Sequence, residues 1–124
     1  MKPYKCETNS ATFLVYDRYI IAEPKLFVDV YKKEVDQLYA VVSGHIKGKF
    51  GLIENRVNKN SINPLAYQYA EGLMPDFSAF ALVVYTELAK QNIQIEKYFI
   101  AETKIKAKIF DSLDDAKEWM VSVL

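Results

Sequence analysis

Residues suited to chemistry crowd into one short polar stretch of this chain. Between positions 55 and 63 stand Asn55, Arg56, Asn58, Asn60, Ser61 and Asn63, among them four of the six asparagines and one of the two arginines. The asparagines offer neutral donors and acceptors, and Arg56 adds a forked cation that grips carboxylate or phosphate groups. Such a stretch is equipped to bind rather than to react. It has no nucleophile paired with a base, no Gly-rich phosphate cradle and no G-x-S-x-G elbow. The same residue types also serve as turn and capping residues through local hydrogen bonds, so a purely structural account competes at each position.

Elsewhere the chemistry is thinner. The single cysteine, Cys6, and the single histidine, His45, fall in different elements, so neither an internal disulfide nor a thiol–imidazole pair is expected. His45 reads as a residue of a last helical turn, facing the negative end of the dipole. The acid pairs Asp114–Asp115 and Glu34–Asp36 lack the spacing of a catalytic dyad, because near neighbours on a helix point apart. No cluster of His, Cys, Asp and Glu has metal-ligand spacing, and neither metal nor cofactor is expected. Sixteen acidic residues balance 16 basic ones, and the lysines are scattered, which argues against a nucleic-acid partner. Lys104, Lys106 and Lys108 alternate, as on the solvated face of a strand. No apolar run reaches the length of a membrane span or a signal peptide, so no membrane association and a cytoplasmic location are expected.

The elements that must position the polar stretch follow from periodicity. Residues 11–16 and 19–22 read as two strands joined at Asp17–Arg18, or as one strand kinked there. Pro24 suits the first turn of a helix, and apolar residues from Phe27 through Val30, Tyr31, Val35, Leu38, Tyr39 and Val42 to Ile46 recur at helical spacing. Residues 50–53 form a short buried strand. The polar stretch follows, and Ser61 or Asn63 can cap a helix over 64–73 with Pro64 just inside it. Residues 78–85 are nearly continuous apolar, as a central parallel strand requires. A helix over 87–100, read through Leu88, Asn92, Ile95, Tyr98 and Phe99, leads to a strand over 106–110. The last helix opens on Ser112, with Asp115 three residues on, and buries Leu113, Ala116, Trp119, Met120 and Val123.

This order predicts one α/β domain over residues 1–124. It has a four- to five-stranded, mostly parallel sheet with an N-terminal hairpin and helices packed mainly on one side. The polar stretch then lies at a strand-to-helix junction, where such folds place binding sites. The hairpin would sit at a sheet edge, a natural element for a homodimer. The nine tyrosines include Tyr67 and Tyr69 beside the polar stretch, and clustered tyrosines favour a partner surface.

In element order, and in a closing run carried by Phe110, Ser112, Asp115, Ala116, Trp119 and Met120, the chain resembles the SpoIIAA-like or STAS-like α/β domains, in particular their small stand-alone bacterial members. The resemblance implies a protein that acts by binding. In the anti-sigma-factor antagonists of that superfamily, a serine at the N-terminus of the helix after a central strand is phosphorylated by a partner kinase, which makes Ser61 the candidate phosphoacceptor. Those antagonists carry an Asp-Ser-Ser/Thr-Gly type motif, whereas here the run is Lys59, Asn60, Ser61 and Ile62, without glycine. The resulting expectation is a non-enzymatic regulatory domain that binds a protein partner or a small ligand through residues 55–63. The alternatives are a small-molecule carrier or enzyme with a pocket between sheet and helices, gathering Arg18, Arg56 and Tyr67, and a phospho-switch at Ser61.

Overall fold

A computed structural model describes residues 2–124. Its elements in chain order are β1 (Tyr4–Glu7), β2 (Ala11–Val15), β3 (Tyr19–Pro24), β4 (Asp29–Val30), α1 (Lys32–His45), β5 (Phe50–Asn55), β6 (Ser61–Ile62), α2 (Ala66–Leu73), β7 (Phe77–Val83), α3 (Glu87–Ala101), β8 (Lys106–Phe110) and α4 (Leu113–Val123). Six strands form one sheet in the order β1-β2-β3-β5-β7-β8, and β4 pairs with β6 in a separate two-stranded ribbon. β2 runs antiparallel to both β1 and β3, whereas β3, β5, β7 and β8 pair in parallel.

Side chains alternate across the sheet as the two-residue strand period demands. Ile20, Leu52, Phe80 and Leu82 belong to a larger core shared with Val35, Leu38 and Val42 of α1, Ala66, Tyr67 and Ala70 of α2, and Ile93 of α3. Ile21, Ile53, Ala79, Ala81 and Val83 face the other way and pack on Ala116 and Met120 of α4. Three helices thus cover one face and a single helix covers the other, in agreement with the expected one-sided packing.

Small residues shape the α4 face. Ala79, Ala81 and Gly51 keep the sheet shallow there, and Met120, fully buried, fills the space. A Cβ on Gly51 would lie 2.1 Å from the Met120 Sδ and 3.3 Å from the Ala79 carbonyl oxygen. The glycine is therefore needed for close approach. At the N-terminus of α4, the Ser112 hydroxyl accepts a hydrogen bond from the Asp115 N–H at 3.3 Å, as the sequence predicts.

Three expectations need correction. The sheet has six strands rather than four or five, because Tyr4–Glu7 adds an edge strand beside β2. Its exposed, polar character left no apolar alternation to read. The long helix begins at Lys32 rather than near Leu26. Pro24 ends β3, Phe27 adopts a left-handed conformation (φ 63°), and Asp29–Val30 pairs with Ser61–Ile62. Finally, α3 turns inward a face that shares only Phe99 with the one read. It buries Ile93 and Glu96, while Leu88, Ile95 and Tyr98 are 64%, 64% and 76% exposed.

The Gly51 contact yields a direct test. Gly51→Ala is expected to destabilise the fold by about 1–3 kcal/mol, the usual cost of overpacking a filled core. Met120→Ala is expected to cost about 2–5 kcal/mol on its own. Combined, the two should cost less than their sum, because the alanine methyl enters the space that the methionine vacates. Urea unfolding of the four proteins in this cycle measures the coupling, and strict additivity would refute the proposed contact.

Candidate functional site

β5 runs farther than the sequence predicts. All six of its residues are buried, including Glu54 and Asn55. The ladder continues beyond the strand, since the Arg56 N–H donates to the Val83 carbonyl at 3.0 Å. Glu54 and Arg56, two residues apart in an extended chain, therefore fall on one side of the sheet. Arg56 Nε donates to Glu54 Oε1 at 2.8 Å. Its Nη1 and Nη2 donate to Glu96 Oε2 and Oε1 at 3.1 and 2.6 Å, a bidentate pair. The Tyr67 hydroxyl also donates to Glu96 Oε1, and its ring meets Phe80 edge-on at 5.6 Å. One cation thus ties β5 to α3, and one tyrosine ties α2 to the same carboxylate.

The electrostatics of this cluster are those of buried, imperfectly balanced charge. Burial would lower the pKa of Arg56, but the facing Glu54 charge and the hydrogen bonds and charge of Glu96 more than reverse that and fix it as a cation. Burial raises the Glu54 pKa, Arg56 opposes this only in part, and the Glu96 charge adds to the rise. Tyr67 is pushed well above its ordinary value, first by burial and then by the charges of Glu54 and Glu96. A tyrosine so held is a hydrogen-bond donor rather than a base.

The remaining residues of the polar stretch do varied work. Asn55 is buried, accepts from the Tyr85 hydroxyl and donates to Glu23 Oε2 at 3.2 Å. Asn58 is exposed, and its Nδ2 donates to the Pro24 carbonyl at 3.2 Å. Asn60 Nδ2 donates to the Asn58 carbonyl at 3.1 Å, while its Oδ1 is buried without a partner. Asn63 Oδ1 accepts from the Leu65 N–H at 3.0 Å in an Asx turn. Ser61 is exposed, and its hydroxyl donates to Asp29 Oδ1 at 2.8 Å.

Two sequence-based placements change accordingly. Arg56 and Asn55 were expected on a contact surface and instead stand in the interior, because the strand extends past Ile53. Ser61 was expected at a helix N-terminus and instead lies in β6, four residues before Leu65, which occupies the N-cap of α2. Its neighbour is the Asp29 carboxylate, which would repel a phosphate placed there. Arg56 and Tyr67 do converge, on Glu96. Arg18 does not join them. It sits in the β2–β3 turn, where its carbonyl accepts from the Gly51 N–H at 3.1 Å. That is the opposite end of β5, roughly 16 Å away at strand rise.

Two concavities flank the cluster. The first is a cleft of about 350 Å³ at the C-terminal ends of β5 and β7. Residues Arg56–Asn60 form one wall, and Tyr85, Thr86, Leu88, Ala89 and Asn92 at the start of α3 form the other. This is the position where parallel sheets usually receive ligands. Val57, Tyr85 and Leu88 are 52%, 49% and 64% exposed there, so apolar surface lies beside the amides of Asn58, Asn60 and Asn92. The second is a half-open space of about 70 Å³ between the sheet, α1 and α2, with Glu54 and Tyr67 in its lining.

Among the described residues no group of His, Cys, Asp and Glu is arranged to hold a metal ion, and no helix is long and apolar enough to cross a membrane. Glu54, Glu96 and Tyr85 were missed in the sequence. The Glu54-x-Arg56 spacing directly after an apolar strand was a usable sign for the first. Glu96, four residues before Ile100 and three after Ile93, was a charged residue set in an apolar helical face.

No protein-family model and no curated protein matches the chain. Among solved structures it is similar to an uncharacterized protein of the DUF3478 family with a SpoIIAA-like fold, from Shewanella loihica PV-4. The identity is 14%, the alignment covers 95% of this chain and 91% of that one, and the TM-score is 0.50. The chain is thus a mixed α/β domain of SpoIIAA-like fold. At that identity, the likeness carries the fold and nothing of the activity.

The buried cluster generates two expected outcomes. Arg56→Ala leaves two buried carboxylates without their cation and is expected to cost about 3–5 kcal/mol. Replacing all three charges together, by Glu54→Leu, Arg56→Met and Glu96→Leu, is expected to cost less than Arg56→Ala alone, because no unpaired charge remains. Denaturant melts of both variants compare the two. Because native Glu54 holds its proton to higher pH than the unfolded chain does, its stabilising contribution is full below the ordinary glutamate pKa. That contribution is lost as pH rises through the raised value. Urea midpoints taken between about pH 4 and pH 8 should therefore fall more steeply in the native sequence than in Glu54→Gln.

Proposed function

We propose that the protein acts by binding rather than by bond-making, as a regulatory domain whose partner or ligand seats in the cleft between residues Arg56–Asn60 and the first turns of α3. The observation that carries this reading is the apolar surface left open at that place. Val57, Tyr85 and Leu88 line or rim the cleft beside the amides of Asn58, Asn60 and Asn92. Ile95 and Tyr98 extend the same apolar stripe along α3. Exposed apolar residues scattered singly need no explanation, but a contiguous run rimmed by polar groups is the usual mark of an interaction site. Arg56 is locked into its carboxylate cluster, and the Tyr85 hydroxyl donates to Asn55. That leaves the cleft without an activated nucleophile or a poised base, which supports binding over catalysis.

The interior positions of Asn55 and Arg56 alter how the reading is tested. Replacing Arg56 would unbalance the core, so the informative variant is Val57→Asp/Leu88→Asp, which touches exposed side chains only. It is expected to melt within about 0.5 kcal/mol of the native sequence, as exposed substitutions usually do. It is also expected to lose the ligand or partner that the native protein retains in affinity capture followed by native mass spectrometry. A folded variant with an unchanged capture profile would remove the cleft from consideration.

A further inference from the structure

β8 ends the six-stranded sheet, and the helices leave one of its faces partly uncovered. An open groove of about 490 Å³ runs between β8 and the C-terminal half of α3, at the far end of that helix from the cleft. Phe80, Leu82, Ile100, Ile105, Ala107 and Ile109 line it, together with the exposed Lys97. The register with β7 sets Ala107 and Ile109 beside Phe80 and Leu82 on this face. It sets Lys106 and Lys108 beside Ala79 and Ala81 on the α4 face. The Phe110 carbonyl accepts from the Val84 N–H at 3.0 Å and so turns towards β7. Successive residues of a strand direct their backbone groups to opposite sides, so the N–H and C=O groups of Ala107 and Ile109 point outward from the sheet edge. No strand lies beyond them.

We propose that the β8 edge takes up an extended acidic peptide as a further strand of the sheet. The outward backbone groups of Ala107 and Ile109 supply its main-chain hydrogen bonds. Side chains of the added strand alternate between the two faces. One set drops into the apolar groove, and the other lies beside Lys106 and Lys108. Both lysines are exposed and, among the described residues, neither makes an ion pair. The Lys108 Nζ instead lies 5.4 Å from the centroid of the Phe110 ring. The segment that fits therefore alternates apolar and acidic residues. Charge selects this occupant over a second copy of the chain. Antiparallel pairing of two β8 strands would set lysine against lysine, which is unfavourable for residues directly opposite. The edge lysines thus guard β8 against its own kind and leave it open to a strand of opposite charge. A nucleic acid answers the lysines alone, because its phosphate backbone carries no donor for the outward carbonyls.

The test is a titration of the whole chain with a capped peptide of alternating glutamate and valine, followed by amide chemical shifts and hydrogen exchange. Saturable shifts are expected from Ile105 to Phe110. Exchange of the Ala107 and Ile109 amides is expected to slow at least about tenfold at saturation, as new strand pairing requires. A peptide of the same composition in two blocks, glutamates then valines, is expected to bind at least about fivefold more weakly, because it cannot serve both faces at once. Lys106→Glu/Lys108→Glu, which alters exposed side chains only, should weaken binding at least about tenfold. Ala107→Pro removes one outward N–H where an edge strand tolerates proline, and should weaken binding at least about fivefold. If Ala107→Pro does not fold, the charge reversal and the block peptide still decide the matter. Absent saturation, equal binding of the block peptide or of a short oligonucleotide, unchanged exchange at Ala107 and Ile109, or a dimer formed through β8 without peptide would each overturn the assignment.

Discussion

The structure turns on the pairing of Arg56 with two buried carboxylates. A guanidinium brought out of water costs several kcal/mol, and it is tolerated only where its donors find acceptors in good geometry. Here Glu54 takes Nε and Glu96 takes both terminal nitrogens. The consequence is mechanical as well as electrostatic. Glu54 and Arg56 belong to the end of β5, Glu96 to α3 and Tyr67 to α2. A central strand and two helices are thus fastened at one point, where packing alone is thin. α3 buries only Ile93 and Glu96 among its fifteen residues.

Around that point the two faces of the sheet solve different problems. The α4 face is closed by small residues, with Gly51, Ala79 and Ala81 admitting Met120 at full contact. The opposite face carries larger side chains and three helices, and it retains the half-open space between the sheet, α1 and α2. The β4–β6 ribbon lies over this looser side. Its strands hold only two residues each, yet backbone bonds from Phe27 to Lys59, Ser61 to Val28 and Asn63 to Val30 extend the contact. The polar stretch is consequently not a free loop. Its backbone is paired with residues 24–30 along much of its length, and Asn58 adds a side-chain bond to the Pro24 carbonyl.

How far the sequence revealed this follows from what each residue does. The strands over 11–16, 19–22, 50–53, 78–85 and 106–110 were legible because burial on one or both faces writes itself as apolar period or run. The last helix was legible from Ser112, Asp115 and its stripe. β1 and the β4–β6 ribbon were not, since their stability comes from backbone pairing with distant segments and their side chains are largely polar or exposed. The resemblance to SpoIIAA-like domains pointed to the right fold, which the structural likeness supports. Composition marked out the polar stretch but not where each of its side chains would stand. Asparagine and arginine signal a place that needs polar groups, and they do not say whether those groups face water or one another.

The rotation of α3 ties these observations together. The helix offers two stripes of comparable apolar character, one through Leu88, Ile95 and Tyr98 and another through Ala89, Ile93 and Ile100. The inward side also carries Phe99, which packs with Ala89 and Ile100 against the larger core, so apolar area does not by itself favour the outward stripe. The second contains Glu96, and Arg56, already buried at the end of β5, needs that carboxylate. Glu54 already neutralises the one positive charge, so what Glu96 adds is a bidentate acceptor for the two terminal nitrogens, whose N–H donors would otherwise be buried unmet. The ion pair acts together with Ile93, Phe99 and Ile100 to set the face that goes in, and the same orientation leaves an apolar stripe in solvent beside the cleft. The interior charge and the exposed surface are two results of one helix orientation, so the polar stretch matters most through the residue it hides.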